Sequence, residues 1–267
     1  MKNGQTRDGI RVTGRIFAWF SALTCLLPVL IVFSVATTKV WQQGPWSGGF
    51  TLKWLIDGWK TISPYAFYSI RLAFLILLLN YIIGLPTSWV IARHRFPGRT
   101  FLYSMTNVPI AIPGIAMGLA LIITYPMLRK NGTLLVVGHL LYTLPYFISN
   151  ITPQLADASL RDIETVAQTL GANFIKRFVF IIIPKIKTSI LAATILVVTL
   201  SLGEFNVAFF LFNPKTKPLP VELYSSYITG RIEFAAAITL CFLCFVIPAG
   251  ILLERLGGIK VGNKNVG

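Results

Sequence analysis

The chain has 267 residues, 55% of them hydrophobic and 12% charged, with a net charge of +15. Soluble domains carry about 25% charged residues, so this composition excludes an ordinary soluble enzyme or binding module. The apolar residues fall in long blocks, which points to an integral membrane protein whose length counts spans. The positive charge does not imply nucleic acid, because Lys and Arg are scattered without a basic run and basic residues beside spans set orientation.

Windows of about 20 apolar residues place six spans, near 16–38, 67–91, 101–127, 134–151, 188–212 and 234–256. This predicts an all-α polytopic membrane protein, with a cytoplasmic tail over 1–15, a six-helix domain over 16–256 and a second cytoplasmic tail over 257–267. The first span, Ile16 to Thr38, is longer than a signal-peptide core and no small-residue cleavage site follows it, so it is expected to be retained. Cys25 lies within it.

The loop 39–66 holds Trp41, Trp46, Trp54 and Trp59, which fit either an interfacial aromatic belt or a docking surface. Asn80 is a polar residue inside the second span. The third span contains Asn107-Val-Pro109-Ile-Ala-Ile-Pro113-Gly114. Proline is tolerated in spans because neighbours re-satisfy the freed backbone groups, so most prolines here read as kinks. Pro109 and Pro113, followed by Gly114, are the strongest candidates for breaking a helix at a transport pathway. His139 in the fourth span has no ligand cluster around it and reads as a packed or interfacial histidine.

The longest inner connection, 152–187, contains a segment that does not suit lipid. Between Asp157 and Phe178, Ile163, Ala167, Leu170 and Phe174 recur at three- and four-residue steps, as do Val166 and Leu170, with polar residues largely on other faces. That is an amphipathic helix. Ser159-Leu-Arg-Asp162 is expected to cap its start and Gly171 to end or turn it. Pro184 is expected to break the following apolar run before the fifth span. Such a helix lies in the headgroup plane or docks in a groove on a partner, and periodicity does not choose between these.

The fifth span carries Glu204 and Asn206 in Ser-Leu-Gly-Glu-Phe-Asn. An ionisable group within a span faces a cavity or a partner. Glu204 therefore either lines or gates a substrate path, or is held by neighbouring donors for packing. In the sixth span Cys241-Phe-Leu-Cys244 has CxxC spacing, but no second pair or nearby His completes a site, and both read as small hydrophobes. With the N-terminus inside, inner segments carry 15 Lys and Arg against 8 in the outer ones. This favours both termini in the cytoplasm.

Thr165-Val166-Ala167, then Gly171 after three residues, then Ile181-Ile-Ile183-Pro184 after nine more, resembles the signature EAA-x3-G-x9-I-x-L-P. That signature belongs to permease subunits of binding-protein-dependent ABC importers. Ala167, Gly171, Ile181 and Pro184 coincide with it, while Thr165, Val166 and Ile183 depart from its Glu, Ala and Leu. Glu164, one place early, is the nearest acid, so the family's polar contact falls to Glu164 or Thr165. The run from Asn107 to Gly114 with Gly118, His139 with Pro145, and Leu202-Gly-Glu-Phe205 also resemble the family, extending the likeness over roughly 66–256.

The resemblance implies a cytoplasmic coupling helix between spans four and five that seats in a cleft of an ABC ATPase. Glu164, Thr165, Ala167, Leu170, Gly171 and Pro184 are the expected ATPase-coupling residues, and Glu204, Asn206, Asn107, Pro109 and Pro113 the candidate substrate pathway. It further implies an ATPase dimer, a second permease subunit (a different chain is favoured), an extracytoplasmic solute-binding protein and a multi-pass place in the inner membrane. No cofactor and no catalytic centre are expected. The sequence has no phosphate loop and no Gly-Lys dipeptide, so ATP hydrolysis by that route falls to another polypeptide. Leu202-Gly-Glu-Phe205 with Leu219-Pro220-Val221-Glu222-Leu223-Tyr224 is most similar to the subgroup moving polyamines, phosphonates, thiamine, iron or oxyanions, with polyamine or phosphonate favoured. The competing readings are a stand-alone secondary transporter or channel, and an intramembrane enzyme built on Glu204 and His139.

Overall fold

The computed structural model describes residues 2–256, and the expected tail 257–267 lies outside them. Among the described residues there are twelve α-helices and no strand beyond one isolated bridge, Thr38 to Phe50. They are α1 (Lys2–Ala36), α2 (Lys53–Leu79), α3 (Leu85–Arg93), α4 (Arg99–Ala111), α5 (Gly114–Thr124), α6 (Thr133–Ala156), α7 (Ala158–Thr169), α8 (Phe174–Arg177), α9 (Ile183–Gly203), α10 (Ala208–Leu211), α11 (Leu219–Thr229) and α12 (Ile232–Leu256). The described residues divide into two units, 2–63 with 223–245, and 64–222 with 246–256.

In the first unit Thr13–Ala36 of α1 is long and apolar enough to cross a membrane. The loop after it is built rather than slack. Trp54 Nε1 donates to the Thr38 carbonyl at 3.1 Å, Trp46 Nε1 donates to Thr37 Oγ1 at 3.0 Å, and the Trp41 amide donates to Glu233 Oε1 at 2.8 Å. The loop is shorter than expected, because α2 begins at Lys53 and takes Trp54 and Trp59 into a helix. The thiol of Cys241 donates to the Leu55 carbonyl at 3.7 Å.

The second unit is organised around α6, which packs on α3, α4, α5, α9 and α10. Leu134, Leu135, Phe147, Ile148, Ile151 and Leu155 are buried along it. Gly138 lets α10 approach, since a Cβ there would lie 2.5 Å from Leu211 Cδ1 and 2.8 Å from Val207 Cγ1. Small residues at such contacts replace the hydrophobic drive that lipid removes. Gly138→Val is therefore expected to destabilise this unit by about 1–3 kcal/mol, the cost of overpacking. The check is a lower melting temperature in detergent and less protein in the membrane.

Two spans are longer than the expected ones. Lys53–Arg93 and Phe174–Gly203 each run as one apolar helical path, and each contains a π-turn, at Asn80–Gly84 and Phe178–Ile182. Each π-turn ends two residues before a proline, Pro86 or Pro184. A proline ring clashes with the carbonyl four residues back, here that of Ile82 or Phe180, and the wider turn relieves that clash. Pro184 therefore does not interrupt the fifth span as expected, and the helix passes through it.

Two of the expected spans are broken. The expected third span, 101–127, is α4 and α5 bent by 102°. The break falls at Ile112, extended at φ −85° and ψ 124°, because a residue before proline is pushed out of the α region. The expected fifth span, 188–212, stops at Gly203 and resumes as the single turn of α10. Among the described residues four helices qualify as spans by length and composition, or five counting the bent pair, and α12 adds a shorter apolar stretch, Ile232–Pro248.

Candidate functional site

The amphipathic helix expected after Asp157 is α7. Its cap is Asp157 itself, whose Oδ1 accepts the Ser159 amide at 2.7 Å and the Leu160 amide at 3.4 Å. This corrects the expected Ser159–Asp162 box. Hydrogen bonds from the Ser159 hydroxyl and from these amides hold the Asp157 carboxyl below its ordinary value. A lowered folded value means that the cap stabilises α7 above the ordinary carboxylate range and is lost as pH falls through the lowered one. Asp157→Ala is expected to fray the first turn of α7 at neutral pH and to remove that acid dependence. Amide exchange at Ser159–Arg161 across pH reads both effects.

The end of α7 is a Schellman motif. The Ala172 amide bonds the Ala167 carbonyl and the Gly171 amide bonds the Gln168 carbonyl, both at 3.0 Å. The motif requires a left-handed residue, and Gly171 supplies it at φ +82°. Asn173 then caps α8, its Oδ1 accepting the Lys176 amide at 2.9 Å. The chain thus turns sharply within Leu170–Asn173 and enters the long helix ending at Gly203, with Pro184 in the first turn of α9.

The faces of α7 divide sharply. Leu160 and Glu164 are buried, and Glu164 is ion-paired with Arg93 at the end of α3. Thr165 is exposed, and its hydroxyl donates to the Arg161 carbonyl at 2.9 Å. Ala167 is half-buried. Ile163, Val166, Leu170 and Phe174 are exposed, Leu170 at 82%. The helical period of α7 was legible in the sequence, but Ile163, Val166 and Leu170 point away from the chain's own body, whereas Phe174 lies past the turn, in α8, with its ring against Trp89. Sequence reasoning missed Arg93 and Trp89; the available signal was Leu160 and Glu164 sharing one face at a four-residue step.

Of the pathway candidates, the structure brings the two helix breaks together. At Gly114 a Cβ would sit 2.9 Å from Asn206 Cβ, and at Gly118 one would sit 3.2 Å from the Val207 carbonyl. Pro113 forms the break, whereas Pro109 lies inside α4. Asn107 is bound separately, with its Oδ1 accepting the Ser149 hydroxyl of α6 at 2.8 Å. Glu204 is buried and its Oε1 accepts the Val207 amide at 2.6 Å, so the carboxylate satisfies backbone freed where α9 stops. His139 is fully buried, with Nδ1 3.2 Å from Ser201 Oγ.

Paired helix breaks inside a bundle of apolar helices, together with an amphipathic helix in the same unit that bares one apolar face, define the class as a helical membrane transport subunit. The chain belongs to the family described as binding-protein-dependent transport system inner membrane component, whose profile matches residues 84–259. It is accordingly an ABC importer permease and a multi-pass inner-membrane protein. It is 26% identical over 247 residues to PhnV of Salmonella typhimurium, a candidate permease protein of a 2-aminoethylphosphonate transport system, covering 89% of this chain and 91% of that one. It is 29% identical over 206 residues to the sulfate transport system permease protein CysT of the same species, covering 72% of this chain and 71% of that one. It is 26% identical over 252 residues to the spermidine/putrescine transport system permease protein PotC of Escherichia coli, covering 91% and 93%. The fold is similar to a chain in the crystal structure of a bacterial ABC transporter involved in import of the acidic polysaccharide alginate. There the TM-score is 0.70 at 14% identity, covering 94% of this chain and 98% of that one.

Proposed function

We propose that this chain forms one half of a solute pathway and that α7 couples it to a separate cytoplasmic ATPase. The observation that carries this reading is the exposed row Ile163, Val166 and Leu170 along α7 and its C-cap, a helix whose opposite face is buried and ion-paired. An apolar stripe at helical spacing is the pattern that seats in a partner's groove. The ATPase dimer moves α7, the broken spans around Pro113 and Glu204–Val207 rearrange, and solute delivered by an extracytoplasmic binding protein enters the cavity. A second permease, a different chain by the subgroup's pattern, completes the pathway, and both termini lie in the cytoplasm.

The solute is proposed to be small and polar. Relatives are named for 2-aminoethylphosphonate, sulfate, and spermidine with putrescine, and a polyamine or a phosphonate is favoured. Glu204 acts in this reading as a backbone-holding group at the break rather than as a solute ligand, as its bond to the Val207 amide supports.

The test is a cysteine at position 166 in a chain whose Cys25, Cys241 and Cys244 are replaced by serine. The expected result is a cross-link in native membranes to a protein with a phosphate loop, modulated by nucleotide. A cysteine at 166 that labels freely and cross-links only to lipid-facing reagents overturns the coupling role.

A further inference from the structure

Two different kinds of contact join α7 to the last turn of α3, and aromatic packing joins that turn to the segment after α7. Arg93 and Glu164 form an ion pair in which the two side chains are only 10% and 12% exposed. Arg161 of α7 donates to the Ala92 carbonyl at 2.6 Å, satisfying one of the orphan acceptors at the end of α3. The Arg93 guanidinium also lies over the Trp89 ring at 5.2 Å. Trp89 in turn meets Phe174 and Phe178 edge-on, with centroids 5.6 and 5.9 Å away. The last turn of α3 is therefore gripped by α7 and by the helix that follows it, while the outer face of α7 is bare.

A displacement imposed on that outer face cannot be absorbed by α7 alone. Moving α7 away from α3 breaks this buried ion pair together with the Arg161 bond to the Ala92 carbonyl. A change of helix geometry lies further along the same path, at the π-turn Asn80–Gly84, whose Asn80 is tied to Thr143 of α6 through Nδ2 at 2.9 Å. π-turns of this kind recur at functional sites within helices.

We propose that Arg93 and Glu164 are positioning residues: together they latch α7 to α3, so that movement of α7 is delivered to the second span and flexed at Asn80–Gly84. This rests on the ATPase-coupling reading and extends it, because it gives Glu164 an intrachain role instead of a contact with the motor.

The test is hydrogen–deuterium exchange on the purified complex, with and without ATP and vanadate, comparing segments 85–93 and 158–169. In the wild type, nucleotide trapping is expected to change exchange in both segments together. Glu164→Gln and Arg93→Met are each expected to raise basal exchange in 158–169 by about tenfold, since one buried charge loses its partner. In both variants the nucleotide response of 158–169 persists and that of 85–93 disappears. The double variant, Arg93→Met with Glu164→Gln, removes the orphan charge, so basal exchange returns toward the wild type while the response of 85–93 stays absent. A merely structural brace would restore both. If 85–93 still responds in the single variants, the latch is overturned. A wild-type complex that hydrolyses no ATP instead contradicts the coupling reading, and the latch falls with it.

Discussion

Leu170→Asp is expected to strip the ATPase from the purified permease, lowering its recovery at least tenfold, about 1.4 kcal/mol or more. Leu170 is 82% exposed in a row with Ile163 and Val166, so the substitution touches no packed neighbour within the chain. Membrane abundance and melting temperature should stay close to those of the wild type. The contrast between intact folding and lost partner is what identifies the row as an interface, because an exposed side chain that served no partner would tolerate Asp at little cost. Immunoblotting of the ATPase in the eluate, normalised to the permease, is the measurement. Undiminished recovery would mean that the row does not carry the contact.

Gly171→Val is expected to act differently. No atom lies within 4 Å of a Cβ added there, so crowding plays no part. The effect comes from φ +82°, a conformation that costs an L residue about 1–2 kcal/mol and a β-branched one the most. The Schellman bonds from Ala172 to Ala167 and from Gly171 to Gln168 are then lost, and α7 is no longer held at a fixed angle to α8. ATPase should remain bound, because Leu170 and its neighbours are unchanged. Solute uptake per ATP hydrolysed should fall about five- to thirtyfold, the change corresponding to this strain. Gly171→Asn should retain most of the uptake, since Asn tolerates the left-handed region. Equal loss in both variants would place the effect outside the backbone turn.

These residues also show what a sequence can and cannot display. The period of α7 and the turn at Gly171 were legible because they depend on local spacing and on a single conformational requirement. The break at Pro113 was legible for the same reason, through the restriction that proline imposes on Ile112. The break after Gly203 was not, because nothing in Leu-Gly-Glu-Phe-Asn forbids helix, and the stop depends on Glu204 accepting the Val207 amide. Pro184 was misread in the opposite sense. A proline ends a helix only if the chain cannot widen to accommodate it, and the π-turn Phe178–Ile182 does so.

The inner face of α7 was hidden for another reason. Arg93 and Glu164 are 71 positions apart, and no periodicity connects them. Only the fold brings the end of α3 against α7. The six expected spans likewise became long, bent and broken helices, since hydropathy records where lipid is tolerated and not how a helix is interrupted.

The most direct measurement is affinity purification of the tagged chain from native membranes in mild detergent, with mass spectrometry of the proteins that accompany it. Recovery of a phosphate-loop ATPase, together with a second permease, is the expected result. A chain that purifies alone, and that still moves solute in liposomes without ATP, would contradict the coupled importer and leave a stand-alone transporter in its place.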